Sequence, residues 1–164
     1  MTTIRPAGAL ISGALLLGMG LGGFLDGIVL HQILQWHNML SSRVPPTDLV
    51  AMKYNMVWDG LFHGFAWIAT AVGVGALWRS GLRSEEPGAT SMLVGSALLG
   101  WGLFNLVEGT ADHQLLGIHH VHPGADQLAW DLGFLMFGAA LAMAGISLAV
   151  AGHRKMSARI RGDP

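Results

Sequence analysis

The sequence predicts an all-α fold, an integral membrane four-helix bundle with both termini in the cytoplasm, and two observations lead to this prediction. Hydrophobic residues make up 52% of the 164 residues and charged residues only 12%, about half the charged share of soluble domains. Four stretches contain no Asp, Glu, Lys or Arg, and each is long enough to cross a bilayer as a helix. This composition argues against a soluble globule, a disordered chain and a nucleic-acid-binding protein.

The four charge-free runs cover residues 7–25, 60–78, 90–107 and 132–152. With their apolar flanks they predict helices over about residues 7–40, 54–78, 90–116 and 126–152. The first helix extends to residue 40 because the sequence stays apolar after Asp26, which also favours a retained helix over a cleaved secretory signal. The breaks between helices contain Pro45-Pro46, residues 84–88 and His122-Pro123-Gly124, which are typical turn sequences. We therefore expect one transmembrane domain, residues 1–152, and a basic cytoplasmic tail, residues 153–164.

The basic residues that flank the runs predict the orientation. Seven lie on one side, namely Arg5, Arg79, Arg83, Arg154, Lys155, Arg159 and Arg161, and two lie on the other, Arg43 and Lys53. Because loops rich in Lys and Arg stay in the cytoplasm, both termini are expected there, in a multi-pass protein of the bacterial inner membrane. Trp36, Trp58 and Trp130 then lie near the outer interface and Trp78 near the inner one.

Each predicted helix carries one carboxylate at the same end of the bundle. The first run ends before Asp26, the second begins after Asp59, the third ends before Glu108 and the fourth begins after Asp131. Because successive helices alternate in direction, these four acids fall at one extracytoplasmic level. Few basic residues are near them, so in a low-dielectric setting the acids must be protonated or neutralised by a bound cation.

Histidines accompany these acids. His63 follows Asp59 by four residues and shares its helix face, whereas His31 and His113 follow Asp26 and Glu108 by five, a spacing that requires side-chain reach or a local distortion of the helix. Taken alone, each acid is typical of a span boundary, but together the acids and imidazoles predict a metal site. The candidate ligands are His31, His63, Glu108 and His113, with Asp59 ligating or orienting a histidine, followed by Asp26, Asp131, Asp112, His119 and His120. His37 and His122 are expected at the interface, and His153 in the tail.

The chemistry of the donors limits the metal. The chain has no cysteine, so nitrogen and oxygen ligands remain, which suit copper, zinc, iron or manganese. The extracytoplasmic location favours copper or zinc, with iron possible, and the number of ligands allows more than one ion. The Glu-x-x-His pairs of di-iron bundles are absent from the sequence. No haem or nucleotide is expected.

Three functions remain open at this point. The first is a membrane metalloprotein, which could be an oxidoreductase or a hydrolase. The second is a non-catalytic delivery or assembly factor for a respiratory metalloenzyme, and the third is a proton or ion relay. The bilayer is the expected partner, nucleic acid is not, and the 24 glycines favour close helix packing and allow a homo-oligomer. No sustained internal repeat is apparent in the sequence.

Several polar motifs resemble those of a bacterial family of predicted membrane proteins, the domain of unknown function two-two-four-three. They are FLDGIVLHQ at residues 24–32, WDGLFH at 58–63, NLVEG at 105–109 and DHQLLGIHHV at 112–121. The resemblance covers nearly the whole chain. It implies a four-helix integral membrane protein and supplies no activity.

Overall fold

The computed structural model describes residues 7–81 and 86–161 of the chain. Within these ranges it is all-helical, with four α-helices: α1 Ala7–Asp26, α2 Leu49–Ser80, α3 Ala89–Glu108 and α4 Gln127–Arg161. All four are long and apolar enough to cross a membrane, which confirms the predicted all-α fold with four potential membrane-spanning helices. Four positions used in the sequence analysis, Arg5, Arg83, Ser84 and Glu85, lie outside the described residues.

Two helices differ in length from the sequence-based bounds. Helix α2 begins earlier because the Asp48 side chain accepts hydrogen bonds from the backbone N–H groups of Val50 and Ala51, at 2.8 and 2.9 Å, as an N-cap does. It ends at Ser80 and is followed by Gly81, whose φ of 59° is the left-handed conformation that favours glycine. Helix α4 continues to Arg161, so most of the basic segment expected as a tail is helical.

Helices α1 and α3 each pass directly into a short π-helix, and neither continues as the uninterrupted α-helix expected from hydropathy. These segments are π1, Gly27–Ile33, and π2, Gly109–Leu115. Each ends with a hydrogen bond that spans five residues, from Leu34 N to Val29 O and from Leu116 N to Ala111 O, both 2.8 Å. A π-helical turn is wider than an α-helical one, so residues five apart come to one face.

The helices are arranged with α1 and α3 at the centre, α2 packed on α1, and α4 packed on α3. Between α1 and α3 the backbones approach so closely that a Cβ added at Gly18 would lie 1.9 Å from Ala97 O, and one at Gly100 would lie 2.1 Å from Leu15 O. Large apolar side chains on α2 and α4, such as Trp67 and Met136, face outward. Such outward faces are those of helices surrounded by lipid.

The two halves of the molecule repeat the same structure, contrary to the expectation of no internal repeat. π1 and π2 correspond residue by residue at a constant spacing along the chain, as do α1 and α3, whereas α2 and α4 correspond at a shorter spacing. Gly73 of α2 packs against Gly13 and Leu17 of α1, as Gly145 of α4 packs against Gly95 and Leu99 of α3. The close approaches of Gly18 and Gly100 across the centre are likewise reciprocal. We call residues 7–81 the first repeat and residues 86–161 the second.

Candidate metal centre

Four histidines meet at the end of the bundle where both π-helices end. His31 lies on π1 and His113 on π2, while His37 belongs to the first loop, residues 34–48, and His119 to the second loop, residues 116–126. Their exposed fractions are 2%, 3%, 4% and 1% respectively. The ring centroids lie 4.4 Å apart for His31 and His37, 4.6 Å for His37 and His119, and 4.8 Å for His113 and His119. The four imidazoles therefore form one buried cluster.

Each π-helix brings a histidine beside the carboxylate that ends the preceding α-helix. His31 Nε2 lies 3.3 Å from Asp26 Oδ2, and His113 Nε2 lies 3.0 Å from Glu108 Oε1. The five-residue spacing brings each histidine to its carboxylate because the chain between them is distorted into a π-helix. Neither Nε2 atom makes a hydrogen bond of normal geometry within the described part of the chain. Each histidine therefore contacts its carboxylate without a hydrogen bond between them.

Asp59 orients His31 from behind. Its Oδ1 accepts from His31 Nδ1 at 3.0 Å and from Met39 N at 2.8 Å, and its Oδ2 accepts from the Asn38 side chain at 2.8 Å. Because Nδ1 donates its proton to Asp59, the lone pair of a neutral His31 lies at Nε2. A carboxylate behind an imidazole is the usual arrangement behind a metal-ligating histidine.

Asp131 takes the equivalent place in the second repeat. Its Oδ1 accepts from Val121 N at 3.0 Å and lies 3.5 Å from His113 Nδ1, while its Oδ2 accepts from His120 Nδ1 at 2.7 Å. His120 therefore occupies the position that Asn38 has in the first repeat. The orientation of His113 by Asp131 is looser than that of His31 by Asp59.

The two loop histidines are held by a reciprocal exchange between the repeats. His37 Nδ1 donates to Val121 O at 2.8 Å, and His119 Nδ1 donates to Met39 O at 3.0 Å. Each neutral ring consequently has its lone pair at Nε2. Burial, together with the neighbouring rings of His119 and His31, lowers the pKa of His37 to about 2, so this ring is neutral and able to ligate.

His119 Nε2 faces a carboxylate directly, at 2.9 Å from Glu108 Oε1. Since its Nδ1 proton is directed to Met39 O, a neutral His119 would place a lone pair against a carboxylate oxygen. A proton or a metal ion between the two atoms removes this repulsion.

Unpartnered buried polar atoms are concentrated in this cluster. Apart from Ser96 Oγ, every such side-chain atom in the described ranges belongs to it: Asp26 Oδ2, His31 Nε2, His37 Nε2, Glu108 Oε2, and both ring nitrogens of His113. Buried polar groups without partners are rare and call for an explanation. Two groups offer ligand atoms within 4.8 Å of one another, His31 with His37 and His119, and Glu108 with His113 and His119. Imidazole and carboxylate donors suit a transition-metal ion.

The remaining candidates lie around the cluster. His63 is only half-buried, its Nδ1 donates to Asp59 O at 2.7 Å, and it belongs to neither ligand group. Asp112 is half-buried on π2 and is likewise in neither group. His122 packs against Trp36 and Trp130, with ring centroids 5.0 and 5.7 Å away.

His37 is the residue that hydropathy misplaces, because it was expected at the membrane interface and is instead buried in the cluster. The first loop turns back after π1 at Gln35, whose φ is 52°, and this turn returns His37 to the centre. The equivalent turn in the second repeat is at Gly117, with a φ of 54°. The correspondence between His37 and His119 is the sequence signal that could have identified it.

A largely apolar cavity of about 160 Å³ adjoins Asp26. Its lining consists of Gly22, Leu25, Asp26, Val29, Leu30, Trp101, Asn105, Phe134 and Phe137. Gly22 leaves room here, whereas its counterpart in the second repeat is the buried Phe104. A small, mainly apolar molecule could therefore reach the carboxylate of Asp26.

Residues 13–152 match the model of the family described as Predicted membrane protein (DUF2243). The search of curated proteins produced no match, and the search of solved structures produced none either. The family description supplies no activity, so inference about function depends on the histidine–carboxylate cluster.

Proposed function

The chain belongs to this family of predicted membrane proteins, and we propose that it is a multi-pass metalloprotein whose transition-metal centre is bound by His31, His37, Glu108, His113 and His119. The observation that carries the proposal is the set of buried ring nitrogens and carboxylate oxygens that lack hydrogen-bond partners and converge from both repeats. A bound cation would supply the missing partner for these atoms. Metal-ligating histidines commonly have a carboxylate or carbonyl on their second ring nitrogen, as His31, His37 and His119 do.

The charge balance of the cluster supports a cation. Asp26, Asp59, Glu108 and Asp131 are all buried, and within the described ranges each ion pair they form is with a histidine. If those imidazoles are neutral, the charges of the carboxylates are uncompensated, which is strongly unfavourable in a low-dielectric interior. A divalent ion neutralises two of them and accepts the imidazole lone pairs at the same time.

The chemistry of the donors and the topology of the chain narrow the choice of metal ion. Four imidazoles with carboxylates and no thiolate suit copper, zinc or iron. The excess of Arg and Lys at the opposite end, including Arg79, Arg154 and Lys155, favours a cytoplasmic location for that end and an extracytoplasmic one for the histidines, in a bacterial inner membrane. Copper or zinc is the ion that we favour on that side of the membrane.

The cavity beside Asp26 supports an enzyme over a metal-delivery factor. It provides space for a small substrate next to a carboxylate of the cluster, and a metal ion there could activate water or dioxygen in a hydrolase or an oxidoreductase. A delivery factor for a respiratory enzyme would instead have to release the ion from ligands that are almost fully buried. Turnover with a constant metal content would identify an enzyme, and transfer of the ion to an acceptor would identify a delivery factor.

A proton relay is the second candidate function. Histidine and carboxylate side chains follow one another at contact distance from Asp59 through His31 to Asp26, at 3.0 and 3.3 Å. Such chains move protons in membrane proteins. A proton current across liposomes, in protein without stoichiometric metal, would favour the relay over the metalloprotein.

Elemental analysis tests the proposal directly. We expect protein purified in detergent, without a histidine tag or chelators, to contain stoichiometric copper, zinc or iron by mass spectrometry. The variant with both His31→Ala and His113→Ala should lose this metal, whereas His153→Ala, an exposed residue at the other end of α4, should retain it. Absence of bound metal in the wild type, including after incubation with each of these ions, would refute the proposed function.

A further inference from the structure

We propose that the cluster holds two divalent ions, one in each repeat, the first bound by His31 and His37, with the carboxylate of Asp26 3.3 Å from His31 Nε2, and the second bound by Glu108, His113 and His119. This inference rests on the proposed metal-binding function and adds to it the number of ions and the division of the ligands.

The internal repeat places the same three donors in each half. A carboxylate ends the α-helix, a histidine follows it on the π-helix, and a second histidine lies in the loop, so Asp26, His31 and His37 correspond to Glu108, His113 and His119. The two carboxylate–histidine contacts are 3.3 and 3.0 Å. Because the two halves repeat the same structure, a donor set that is present in one half has a counterpart in the other.

Each set has its own supporting residues. Asp59 on α2 orients the π1 histidine, and Asp131 on α4 stands behind the π2 histidine. Both aspartates also accept a backbone N–H from the adjoining loop, Met39 N at 2.8 Å and Val121 N at 3.0 Å. Two ions would each need a set of supporting residues, whereas a single ion would need only one such set.

The unpartnered atoms require both ions. One ion bound by the histidines that span the repeats, His31, His37 and His119, would leave Glu108 Oε2 and both ring nitrogens of His113 without partners. An ion bound by the second repeat alone would leave Asp26 Oδ2, His31 Nε2 and His37 Nε2 unpartnered. With two ions, each repeat has a cation beside its unpartnered carboxylate oxygen and one free imidazole nitrogen, while the other nitrogen of His113 lies 3.5 Å from Asp131 Oδ1.

Two ions also match the charge of the cluster when all four of its buried carboxylates are ionised. Four buried carboxylates, Asp26, Asp59, Glu108 and Asp131, carry four negative charges when the histidines are neutral ligands. Two divalent cations balance them, whereas one leaves an excess of negative charge in the membrane interior, which is unfavourable. The loop rings of His37 and His119 are stacked, with 4.6 Å between their centroids and an interplanar angle of 8°, so the loop histidines of the two repeats lie side by side.

The number of zinc ions bound per chain distinguishes a two-ion centre from a one-ion centre. Metal-free protein in detergent is saturated with Zn²⁺, freed of unbound ion and analysed for zinc per chain. We expect two ions in the wild type, one in His31→Ala, one in His113→Ala and none in the double variant, while His153→Ala should bind two. Size-exclusion and circular-dichroism measurements on every variant show whether each remains folded.

The outcomes distinguish this inference from the function on which it rests. One zinc per wild-type chain at saturation, or complete loss of zinc in a folded single variant, would overturn the two-ion assignment and leave the metalloprotein proposal standing. No zinc in the wild type, nor copper or iron when these replace it, would overturn both. As a second readout, Cu²⁺-loaded wild type should show spin coupling between two ions that His31→Ala abolishes, and an uncoupled wild-type spectrum with full occupancy would contradict adjacent sites.

Discussion

At the scale of single residues, Asp59 illustrates how the site depends on groups that need not touch the ion. Its carboxylate accepts hydrogen bonds from His31, Met39 and Asn38 and thereby fixes both a ligand and the start of the first loop. We expect Asp59→Asn to weaken zinc binding in the first repeat by about 10–100-fold, as loss of such an orienting carboxylate usually does. Competition with a chromophoric chelator measures the affinity, and Asp48→Asn at the start of α2 is the matched control. Unchanged affinity in Asp59→Asn would show that His31 is not oriented by this carboxylate for metal binding.

A pair of histidines tests the assignment of ligands. His37→Ala should reduce the zinc content, because His37 offers a buried and unpartnered Nε2 to the cluster. His63→Ala should leave the zinc content unchanged, because His63 lies in neither ligand group although its spacing from Asp59 made it a leading candidate. The number of zinc ions per chain, measured in the two purified variants, tests this assignment of ligands. The reverse result would mean that helical spacing locates the ligands better than the structure does.

Sequence reasoning singles out candidate ligands on the helices more readily than those in the loops, although it also named His119 and His120. The sequence identifies Asp26, Glu108, His31 and His113 because charge and imidazole stand out against apolar runs. Hydropathy does not reveal His37, because the conformation of the first loop depends on long-range contacts such as the bond from His37 to Val121 O. Hydropathy describes depth in the membrane and contains no information about such contacts.

At the scale of elements, the first loop is attached to α2 by Asn55. This fully buried side chain accepts from Leu40 N at 3.1 Å and donates to Val44 O at 2.8 Å and to Ala51 O at 3.0 Å. We expect Asn55→Ala to destabilise the fold by about 1–3 kcal/mol, because buried backbone groups lose their partners. The midpoint of thermal unfolding in detergent should fall, while that of Gln114→Ala, an exposed residue of π2, should not. Equal midpoints for both variants would show that the loop does not depend on Asn55.

Glycines make the close contact between α1 and α3 possible. A Cβ at residue 18 would lie 1.9 Å from Ala97 O, so Gly18→Ala forces the helices apart and should destabilise the protein by about 1–3 kcal/mol. Gly64→Ala on α2 is the control, because nothing lies within 4 Å of its Cβ position, and alanine is the better helix former by up to about 1 kcal/mol. We expect the thermal midpoint to fall in Gly18→Ala and to hold or rise in Gly64→Ala. A Gly18→Ala protein as stable as the wild type would contradict the close approach.

The existence of the helices was predictable, and their distortion only partly so. Apolar runs determine four spans whatever the packing, and Asp48 provides a local cap for α2. The π-helical turns were indicated by the five-residue spacing of Asp26 from His31 and of Glu108 from His113. Hydropathy does not distinguish a π-helix from an α-helix, so the predicted helices continued through Gly27 and Gly109.

At the scale of the whole molecule, the repeat explains why one end collects so many polar groups. Two copies of the same helix, π-helix and loop each contribute a carboxylate and two histidines, and the exchange of hydrogen bonds from His37 to Val121 O and from His119 to Met39 O ties the copies together. The repeat is hard to recognise in the sequence because leucine and glycine dominate both copies. It becomes evident when equivalent contacts, such as those of Gly73 and Gly145, are compared.

The central claim is that both repeats converge on bound metal, and anomalous scattering tests it most directly. Crystals of tag-free protein grown with Zn²⁺ should show anomalous density on the high-energy side of the zinc absorption edge that disappears on the low-energy side. Our account predicts this density among His31, His37, His113 and His119. If the four rings are well ordered and no anomalous density lies between them, the proposed metal centre is wrong, whether or not zinc binds elsewhere in the crystal.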